Sequence, residues 1–309
     1  GAAGPPAPVR VGGVNPEGFD SAPRDRRGGG AELDFTAEDR THGRELWRFD
    51  GEQAHLVADI RPGTGDSFIQ DVTAVETPDG SKLFFSAEDG VHGREMWIAD
   101  ASGVTLVDVV PGPMTSQPRS FVAFDGAVFF SALAGGVREL HRYDVATGTA
   151  AVFHDFPGWG NPYDLTVVTD SAPGGVDRLY LAATATGEGT ELWYLEPGDA
   201  APTLVDLRPG SSSSSPSQLV AMDGYLYTVA DDGSGRAVFR IEPAVTKLAI
   251  TNPFSLTRVG ARLYLSGQVA SGTELYTVAD RSSATVELVK DINPGAAASF
   301  ANPIAAVGP

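Results

Sequence analysis

The stretch ELDFTAEDRTHGRELWRFD at residues 32–50 returns fifty positions later as KLFFSAEDGVHGREMWIAD at residues 82–100. In each copy, two short runs rich in apolar and aromatic residues flank a turn that contains the pair His-Gly. Runs of this length and composition predict β-strands, and the intervening turn predicts that the two strands pair. Because the pattern recurs, it indicates an internal structural repeat.

The repeat extends along most of the chain. Each copy continues with a third apolar run, a loop rich in Pro, Gly or Ser, and a fourth run. Four short strands per ~40–50 residues, without helical periodicity, are typical of a propeller blade. We therefore predict an all-β fold, a six-bladed β-propeller of four-stranded blades. The first strand of each copy is predicted at 32–39, 82–89, 127–133, 178–185, 225–232 and 262–269.

The two ends of the chain differ from the repeat. The sequence closes on the strand-like NPIAAVGP at residues 302–309, which we expect to complete the first blade and to cover its open strand edge. Residues 1–30 carry five prolines and no strand pattern. We predict that residues 1–30 form a Pro/Gly-rich N-terminal tail or linker and that residues 31–309 form the propeller.

The best copies of the repeat carry a family resemblance. AEDRTHGRELWRFDG and AEDGVHGREMWIAD, each followed by LVADIRPG or LVDVVPG, resemble the bacterial ELWxxDGT-repeat proteins, also described as hyalin-like β-propeller proteins. The resemblance covers residues 31–309, although the fifth copy keeps almost none of the motif and the family's Gly-Thr after Asp is absent throughout. It implies a propeller that is secreted or on the cell surface, within a larger protein, and it implies no specific activity.

Composition excludes several classes of function. The formal charge of −18, from 40 acidic and 22 basic residues, makes a nucleic acid an unfavourable partner for this acidic protein. The sequence has no cysteine, which excludes disulfides, thiolate nucleophiles and Cys-based zinc sites. No apolar run approaches the ~18 residues that a membrane span needs. We expect a monomer that does not insert into membranes.

Histidines recur with the repeat, and histidine also builds active sites. His42 and His92 each follow an aspartate by three residues, Asp39 and Asp89. Such a pair suits a metal ligand or a general base, or a hydrogen bond that closes the turn between two strands. A catalytic device is needed once, whereas a blade needs its turn in every copy. We therefore interpret these pairs as structural.

Glutamate and tryptophan recur at the start of the next strand, two residues apart and so on one face. We predict that the glutamates accept hydrogen bonds from backbone or arginine donors and that the tryptophans pack between sheets. The glutamates are Glu45, Glu95, Glu139, Glu191 and Glu274, and the tryptophans are Trp47, Trp97 and Trp193.

Aspartates recur before each Pro-Gly loop. Short Asp side chains accept N–H groups in such turns, so we predict that they cap these loops. Calcium is an alternative, although no D-x-[DN]-x-[DN]-G series is present, and we predict no other cofactor. These residues are Asp59, Asp108, Asp155, Asp206 and Asp291.

The best candidates for ligand binding are residues that the repeat does not predict. Trp159 in FPGWGNPYD has no counterpart in the other copies, and an exposed Trp159–Tyr163 pair beside Asn161 would suit stacking on a sugar ring or a peptide side chain. Other candidates follow the loop proline. Arg119 and Phe254 come directly after it. Two residues after it come Ser120, Asp164, Gln218 and Ser255, with Asp71 as the equivalent, and these residues either form a polar ring at the mouth of a central channel or only solvate the channel.

Three functions remain open on the sequence alone. The first is a non-catalytic binding or adhesion propeller that recognises a glycan, peptide or surface protein through the channel face. The second is a hydrolase or lyase, metal-assisted or not, with Asp71 and Asp164 as acid or base at the channel mouth. The third is a structural spacer. We favour the first, because the sequence has no G-x-S-x-G, H-E-x-x-H or P-loop motif and no convergent catalytic set.

Overall fold

The predicted strands form, and they dominate the structure. The computed structural model describes residues 24–29, 32–77, 79–172, 174–241, 244–269, 272–278, 285–293 and 299. These residues contain 23 strands and no helix. Accordingly, no helix among them is long and apolar enough to cross a membrane. The prediction of an all-β fold is confirmed.

The strands follow one another at short intervals along the chain. They are β1 (Arg24–Gly29), β2 (Glu32–Asp39), β3 (Gly43–Phe49), β4 (Ala54–Ala58), β5 (Gln70–Thr77), β6 (Gly80–Glu88), β7 (Arg94–Asp100), β8 (Gly103–Val107), β9 (Arg119–Phe124), β10 (Ala127–Ala134), β11 (Val137–Asp144), β12 (Thr149–His154), β13 (Gly160–Val168), β14 (Arg178–Ala185), β15 (Gly189–Leu195), β16 (Thr203–Val205), β17 (Ser217–Met222), β18 (Tyr225–Asp231), β19 (Arg236–Ile241), β20 (Thr246–Val259), β21 (Arg262–Val269), β22 (Gly272–Val278) and β23 (Glu287–Lys290).

The chain divides into two compact units. Unit 1 comprises residues 1–121 and 146–150, and unit 2 comprises residues 122–145 and 151–309. Unit 1 contains two antiparallel four-stranded sheets, ordered β1-β2-β3-β4 and β5-β6-β7-β8. Each sheet is a meander in which consecutive strands pair, as the sequence predicts for one blade.

Unit 2 contains two larger sheets. One has the order β16-β15-β14-β13-β11-β10-β9, with β12 on β11, and the other runs from β17 to β23 in chain order. The first consists of two four-stranded meanders that share a single parallel bridge between Arg138 and Gly160. The second also consists of two meanders, because β20 pairs with β19 at one end and with β21 at the other. The described residues thus contain six four-stranded repeats.

Apolar side chains fill the space between successive repeats. In unit 1, Leu46 and Ile60 pack in one cluster with Phe85 of the next sheet. In unit 2, Tyr180 packs in one cluster with Leu226 and Phe239 of the following repeat. This face-to-face packing of sheets supplies the core, since each meander alone would leave one apolar face exposed.

β20 differs from the sequence-based prediction. The loop predicted between the third and fourth runs of each copy falls here on TNP, residues 251–253, but the structure continues as one strand of 14 residues. Thr251 pairs with Ala237 on one side and with Gln268 on the other. The segment is too short for a separate loop, and the buried Pro253 lies at a shift of register, where a strand tolerates proline.

β1 also differs from the prediction. It lies within residues 1–30, the predicted tail, and pairs with β2 from Gly29 opposite Glu32 to Arg24 opposite Thr36. Residues 302–309 are predicted from the sequence to occupy this place beside β2, and they lie outside the described residues. The segment RDRRGG was missed because backbone pairing at a sheet edge requires no apolar alternation.

Candidate functional site

The recurring glutamates fix the loops that connect successive repeats. Glu191 is buried; its Oε1 accepts the N–H of Ser214 at 2.6 Å, and its Oε2 accepts the Ser214 hydroxyl at 2.6 Å and the N–H of Leu207 at 3.1 Å. Glu95 makes the corresponding bonds to Ser116 and Val109. We call this arrangement the Glu–Ser clamp. It confirms the prediction that these glutamates accept backbone donors.

The third repeat contains a variant of the clamp. Glu139 accepts the N–H of Phe156 at 2.9 Å, but Gly160 stands where the other repeats that keep the glutamate have serine. A Cβ at Gly160 would collide with the carbonyl oxygen of Arg138 and would lie 2.9 Å from Glu139 Oε2. This position therefore excludes any side chain, which brings the backbone of β13 close to β11.

Burial perturbs the acidity of these carboxyl groups. It raises the pKa of Glu45 to about 7 and also raises the pKa values of Glu95, Glu139 and Glu191. A raised carboxyl pKa is one mark of a catalytic acid. Here, however, the oxygens are occupied by backbone N–H groups in repeat after repeat, which is a structural use.

The histidine prediction is also confirmed, and the predicted packing between sheets holds for Trp97 and Trp193, whereas Trp47 packs against residues of its own sheet. Asp39 Oδ2 lies 2.7 Å from His42 Nδ1, and Asp39 Oδ1 accepts the N–H of His42 at 2.6 Å, which closes the turn between β2 and β3. Asp89 and His92 repeat this geometry with a 2.6 Å contact. The Nε1 atoms of Trp47, Trp97 and Trp193 each donate to a carbonyl on the preceding strand, as Trp47 does to Ala37 at 3.1 Å.

Two of the aspartates that precede the Pro-Gly loops cap them. Asp59 Oδ2 accepts the N–H of Gly63 at 3.4 Å, and Asp108 Oδ2 accepts the N–H of Gly112 at 3.3 Å. Among the described residues, no group of three or more His, Asp or Glu is arranged to hold a metal ion. The calcium alternative therefore gains no support from these loops.

The predicted channel-mouth residues lie on β5, β9, β13, β17 and β20. Each of these is the first strand of a repeat as the sheets define it, and the fourth run of a copy as the sequence defines it. They lie at a backbone feature that the sequence did not predict. In five repeats of the described chain, two non-glycine residues three positions apart adopt positive φ, at a cost of roughly 1–2 kcal/mol each. Strand register shifts at this point in β5, β13, β17 and β20, and such bulges re-aim side chains. The pairs are Phe68 and Asp71, Gln117 and Ser120, Asn161 and Asp164, Ser215 and Gln218, and Asn252 and Ser255.

In unit 2 these residues join neighbouring first strands. Asp164 Oδ2 accepts the N–H of Gln218 at 3.1 Å, and Gln218 Oε1 accepts the N–H of Leu256 at 2.8 Å. The Tyr163 hydroxyl donates to the carbonyl of Pro216 at 2.9 Å. The structure thus brings Asp164 and Gln218 together, and it uses both side chains to connect β13, β17 and β20.

The other predicted residues are more separate. Phe254 is half-buried on β20 in unit 2. Asp71 on β5 and Arg119 on β9 belong to unit 1, where Asp71 is exposed and Arg119 is half-buried. No described contact joins Asp71 to another predicted site residue.

The Trp159 loop, residues 157–160, is the most distinctive surface feature of unit 2. The Trp159 side chain is 83% exposed, whereas Tyr163 is half-buried, so only one member of the predicted aromatic pair is exposed. The loop backbone is fixed on both sides of Trp159. The Pro157 carbonyl accepts the N–H of Thr186 at 2.7 Å and its hydroxyl at 2.9 Å, and Gly160 begins β13.

The serines of the clamp have no role assigned from the sequence, although two of them begin the S-x-P that follows a Pro-Gly pair. They lie at one position of the repeat, two residues before the loop proline or its equivalent. They are Ser67, Ser116, Ser214 and Ser299.

Comparison with known proteins identifies the fold but not a family. No protein-family model and no curated protein matches the sequence. Among solved structures, a puromycin hydrolase S511A mutant complexed with PGG is 14% identical, with a TM-score of 0.53 and coverage of 93% of this chain and 49% of that chain. A puromycin-hydrolyzing peptidase of Mycobacterium tuberculosis is 11% identical, with a TM-score of 0.54 and coverage of 90% and 48%.

A third similar structure comes from a study of two prolyl endopeptidases, in which inter-domain dynamics has a role in catalysis and specificity. It is 16% identical, with a TM-score of 0.52 and coverage of 89% of this chain and 43% of that chain. This chain therefore spans about half the length of the structures that it matches. At these identities the likeness shows the β-propeller type of fold alone.

Proposed function

We propose that this chain is the β-propeller recognition domain of a hydrolase and that it binds a peptide through the Trp159 loop. The observation that carries the proposal is an 83% exposed tryptophan on a loop whose backbone is fixed. A tryptophan ring can bury about 150–250 Å² on contact with a ligand, and an anchored loop loses little entropy when it binds.

The peptide and the hydrolase enter the proposal through the comparisons. All three similar structures are peptidases or hydrolases, and this favours the hydrolase alternative over an independent adhesion module. Because the chain spans about half of each of those structures, we assign recognition to this chain and the chemical step to groups beyond the described residues.

The finer architecture belongs to the same proposal. Six four-stranded repeats support a six-bladed propeller. Contacts between the first strands of successive repeats, β13 with β17 and β17 with β20 in unit 2, are those of an inner ring. The predicted role of residues 302–309 in closing the ring, and a location at the cell surface or outside the cell, remain proposals.

Replacement of Trp159 tests the recognition surface. We expect Trp159→Ala to weaken peptide binding by about 30-fold or more and to change the free energy of unfolding by less than about 0.5 kcal/mol, because the ring makes few contacts within the chain. Trp159→Phe should retain part of the affinity. The measurement is a screen of peptide and glycan arrays, with calcium and with chelator, followed by titration of any ligand found.

Val245, another exposed apolar residue of unit 2, provides the control, and Val245→Ala should bind like the original chain. Equal binding by Trp159→Ala and Val245→Ala would exclude the loop as the recognition surface. Binding of glycans alone would exclude a peptide ligand. Turnover of peptide substrates by this chain alone would instead place the chemical step within it.

A further inference from the structure

Unit 2 contains a second site candidate, at the opposite edge of its sheet from the Trp159 loop. A cleft of about 250 Å³ opens between the β9–β10 turn at Asp125 and the β15–β16 turn at residues 196–199. β9 and β13 run in the same direction in one sheet, because both are parallel to β11. The end of β9 therefore lies at one end of the strands of this sheet, and the start of β13, next to Trp159, lies at the other end.

The floor of the cleft is apolar and largely aromatic. Phe129 packs edge-to-face against Phe124, with ring centroids 5.9 Å apart, and against Phe153, with centroids 5.1 Å apart. Leu195 completes this floor. Phe124, Phe129 and Leu195 are buried in one core cluster, so the floor is held in place from behind. Aromatic rings in such a floor favour an apolar body or a cation above the ring face.

The rim of the cleft is acidic. Asp125 Oδ2 accepts the N–H of Gly198 at 2.9 Å, which ties the two turns together across the cleft. Asp199 Oδ2 accepts the N–H of Glu196 at 2.8 Å, and Glu196 Oε1 lies 2.6 Å from Arg178 Nη2. In each case the described contacts occupy one carboxylate oxygen, which leaves the second oxygen able to accept from a ligand.

One cation lines the cleft beside these three carboxylates. Arg142 Nη1 lies 3.2 Å from Asp144 Oδ2, so its charge is already balanced from outside the cleft. The lining therefore carries a net negative charge above an apolar floor. Charge complementarity selects a cationic ligand, and the floor selects one with an apolar body.

We propose that this cleft binds a compact amine that carries an aromatic or apolar body, with the ammonium between Asp125 and Asp199 and the body on the phenylalanine floor. The volume of 250 Å³ is below the range of drug-sized pockets, about 300–1,000 Å³, and matches a single ring with a short chain. Such a group can belong to a free arylalkylamine or to the N-terminal residue of a peptide.

Binding of phenethylamine to the whole chain tests this site. We expect saturable binding in ligand-observed NMR, with a Kd of about 1 mM, as suits a ligand of this size. 2-Phenylethanol and phenylacetate, which lack the positive charge, should bind at least about fivefold more weakly. An affinity of the neutral alcohol equal to that of the amine would overturn the proposal.

Two substitutions locate the bound amine. Asp125→Asn and Asp199→Asn keep an oxygen that can accept the turn N–H, and each should raise the Kd by about fivefold through loss of charge. Asp223→Asn is the matched control, because Asp223 occupies the equivalent Asp-Gly turn between β17 and β18, with a φ of 53° against 48° at Asp125. Equal effects at Asp125 and Asp223 would place the amine elsewhere and refute the site.

Tripeptides with an N-terminal phenylalanine separate the two sources of the amine. Binding of Phe-Gly-Gly, lost on acetylation of its amino group, would identify a peptide terminus as the ligand. Binding of phenethylamine alone would identify a free amine. Failure of both probes would refute the site and leave the Trp159 proposal standing, because Trp159 lies outside this cleft.

Discussion

One residue, Gly160, accounts for the way in which the third repeat departs from the others. Gly160 replaces the serine of the Glu–Ser clamp in the third repeat, and its φ is +51°. With no side chain there, β13 approaches β11 closely enough for the bridge to Arg138. The same glycine anchors one end of the Trp159 loop, so the departure from the repeat and the candidate binding surface have one local origin.

Gly160→Ala tests this origin. We expect a loss of stability of about 3 kcal/mol or more, because the new Cβ meets backbone and the Glu139 carboxylate and adopts an unfavourable φ. Gly187→Ala is the control, since Gly187 also has positive φ, at +93°, but no atom within 4 Å of an added Cβ. Denaturant unfolding measures both. Equal losses would mean that φ alone, and not the close approach, constrains position 160.

The sequence predicts residue roles well where a side chain acts within its own repeat. The Asp39–His42 bond follows from the spacing of the two residues in one turn. Roles that join one repeat to the next were harder to predict. Asp164 and Gln218 are 54 positions apart, and their bond depends on a bulge with positive φ that no local pattern indicates.

At the scale of elements, the Glu–Ser clamp joins a strand to the loop that leads into the next repeat. In the fourth repeat, Glu191 lies on β15, and its hydrogen-bond partner Ser214 lies just before β17. The carboxylate is buried, so removal of one donor leaves it under-solvated. The clamp thus fixes the loop that leads into the next repeat.

Ser214→Ala tests the clamp directly. We expect a loss of about 1–3 kcal/mol in the free energy of unfolding, because the 2.6 Å hydroxyl bond to Glu191 is lost while the buried charge remains. Ser211→Ala, an exposed position in the same run of serines, should change stability by less than about 0.5 kcal/mol. Thermal or urea unfolding distinguishes the two. A neutral Ser214→Ala would show that the backbone donors suffice.

Strand positions could be predicted closely, and strand boundaries between repeats less so. β2, β14 and β21 begin and end where the alternating pattern does. β1 was missed because RDRRGG has no apolar face, and β20 was divided because TNP resembles a turn. Both misses concern backbone pairing, which side-chain patterns report only indirectly.

Over the whole molecule, the repeated burial of carboxyl groups makes stability depend on pH. The pKa of Glu45 is about 7 in the folded chain against an ordinary value of 4.5, and Glu95, Glu139 and Glu191 are shifted in the same direction. A carboxyl group with a raised folded pKa stabilises fully below its unfolded pKa, and this contribution is lost as pH rises through the folded pKa. For Glu45 the difference corresponds to at most about 3 kcal/mol.

Other groups act on the same balance. The pKa of His42 is raised by its hydrogen bond to Asp39, which adds stability below about pH 6.5 that is lost at higher pH. Burial lowers the pKa of His141, and this opposes the trend over part of the range. The lowered pKa values of Asp39 and Asp89 matter only below about pH 4, where their contribution is lost.

We therefore expect the unfolding temperature to fall between pH 5 and pH 8. Glu45→Gln should make this fall shallower, because the carboxyl group with the largest pKa shift is then absent. Glu52→Gln, at an exposed position of a turn, is the control and should leave the slope unchanged. Scanning calorimetry across the pH range measures both. A slope in Glu45→Gln equal to that in Glu52→Gln would contradict the assignment.

The sequence predicts the class of the fold and the number of repeats, since both follow from a pattern that recurs along the chain. It does not predict a ligand. Trp159 could be selected because it departs from the repeat, but its 83% exposure required the structure. The acidic cleft at Asp125 was missed entirely, because its lining comes from two repeats and from turns that look ordinary in each.

The unbroken course of β20 has a consequence for how this chain can change through evolution. At the other junctions of unit 2 a loop separates the repeats, and a gene can gain, lose or exchange a repeat by recombination there. At residues 246–259 one strand belongs to two repeats, and Thr251 pairs on both sides. A crossover within this strand would have to match both neighbours at once. We therefore expect the fifth and sixth repeats to be inherited as a pair.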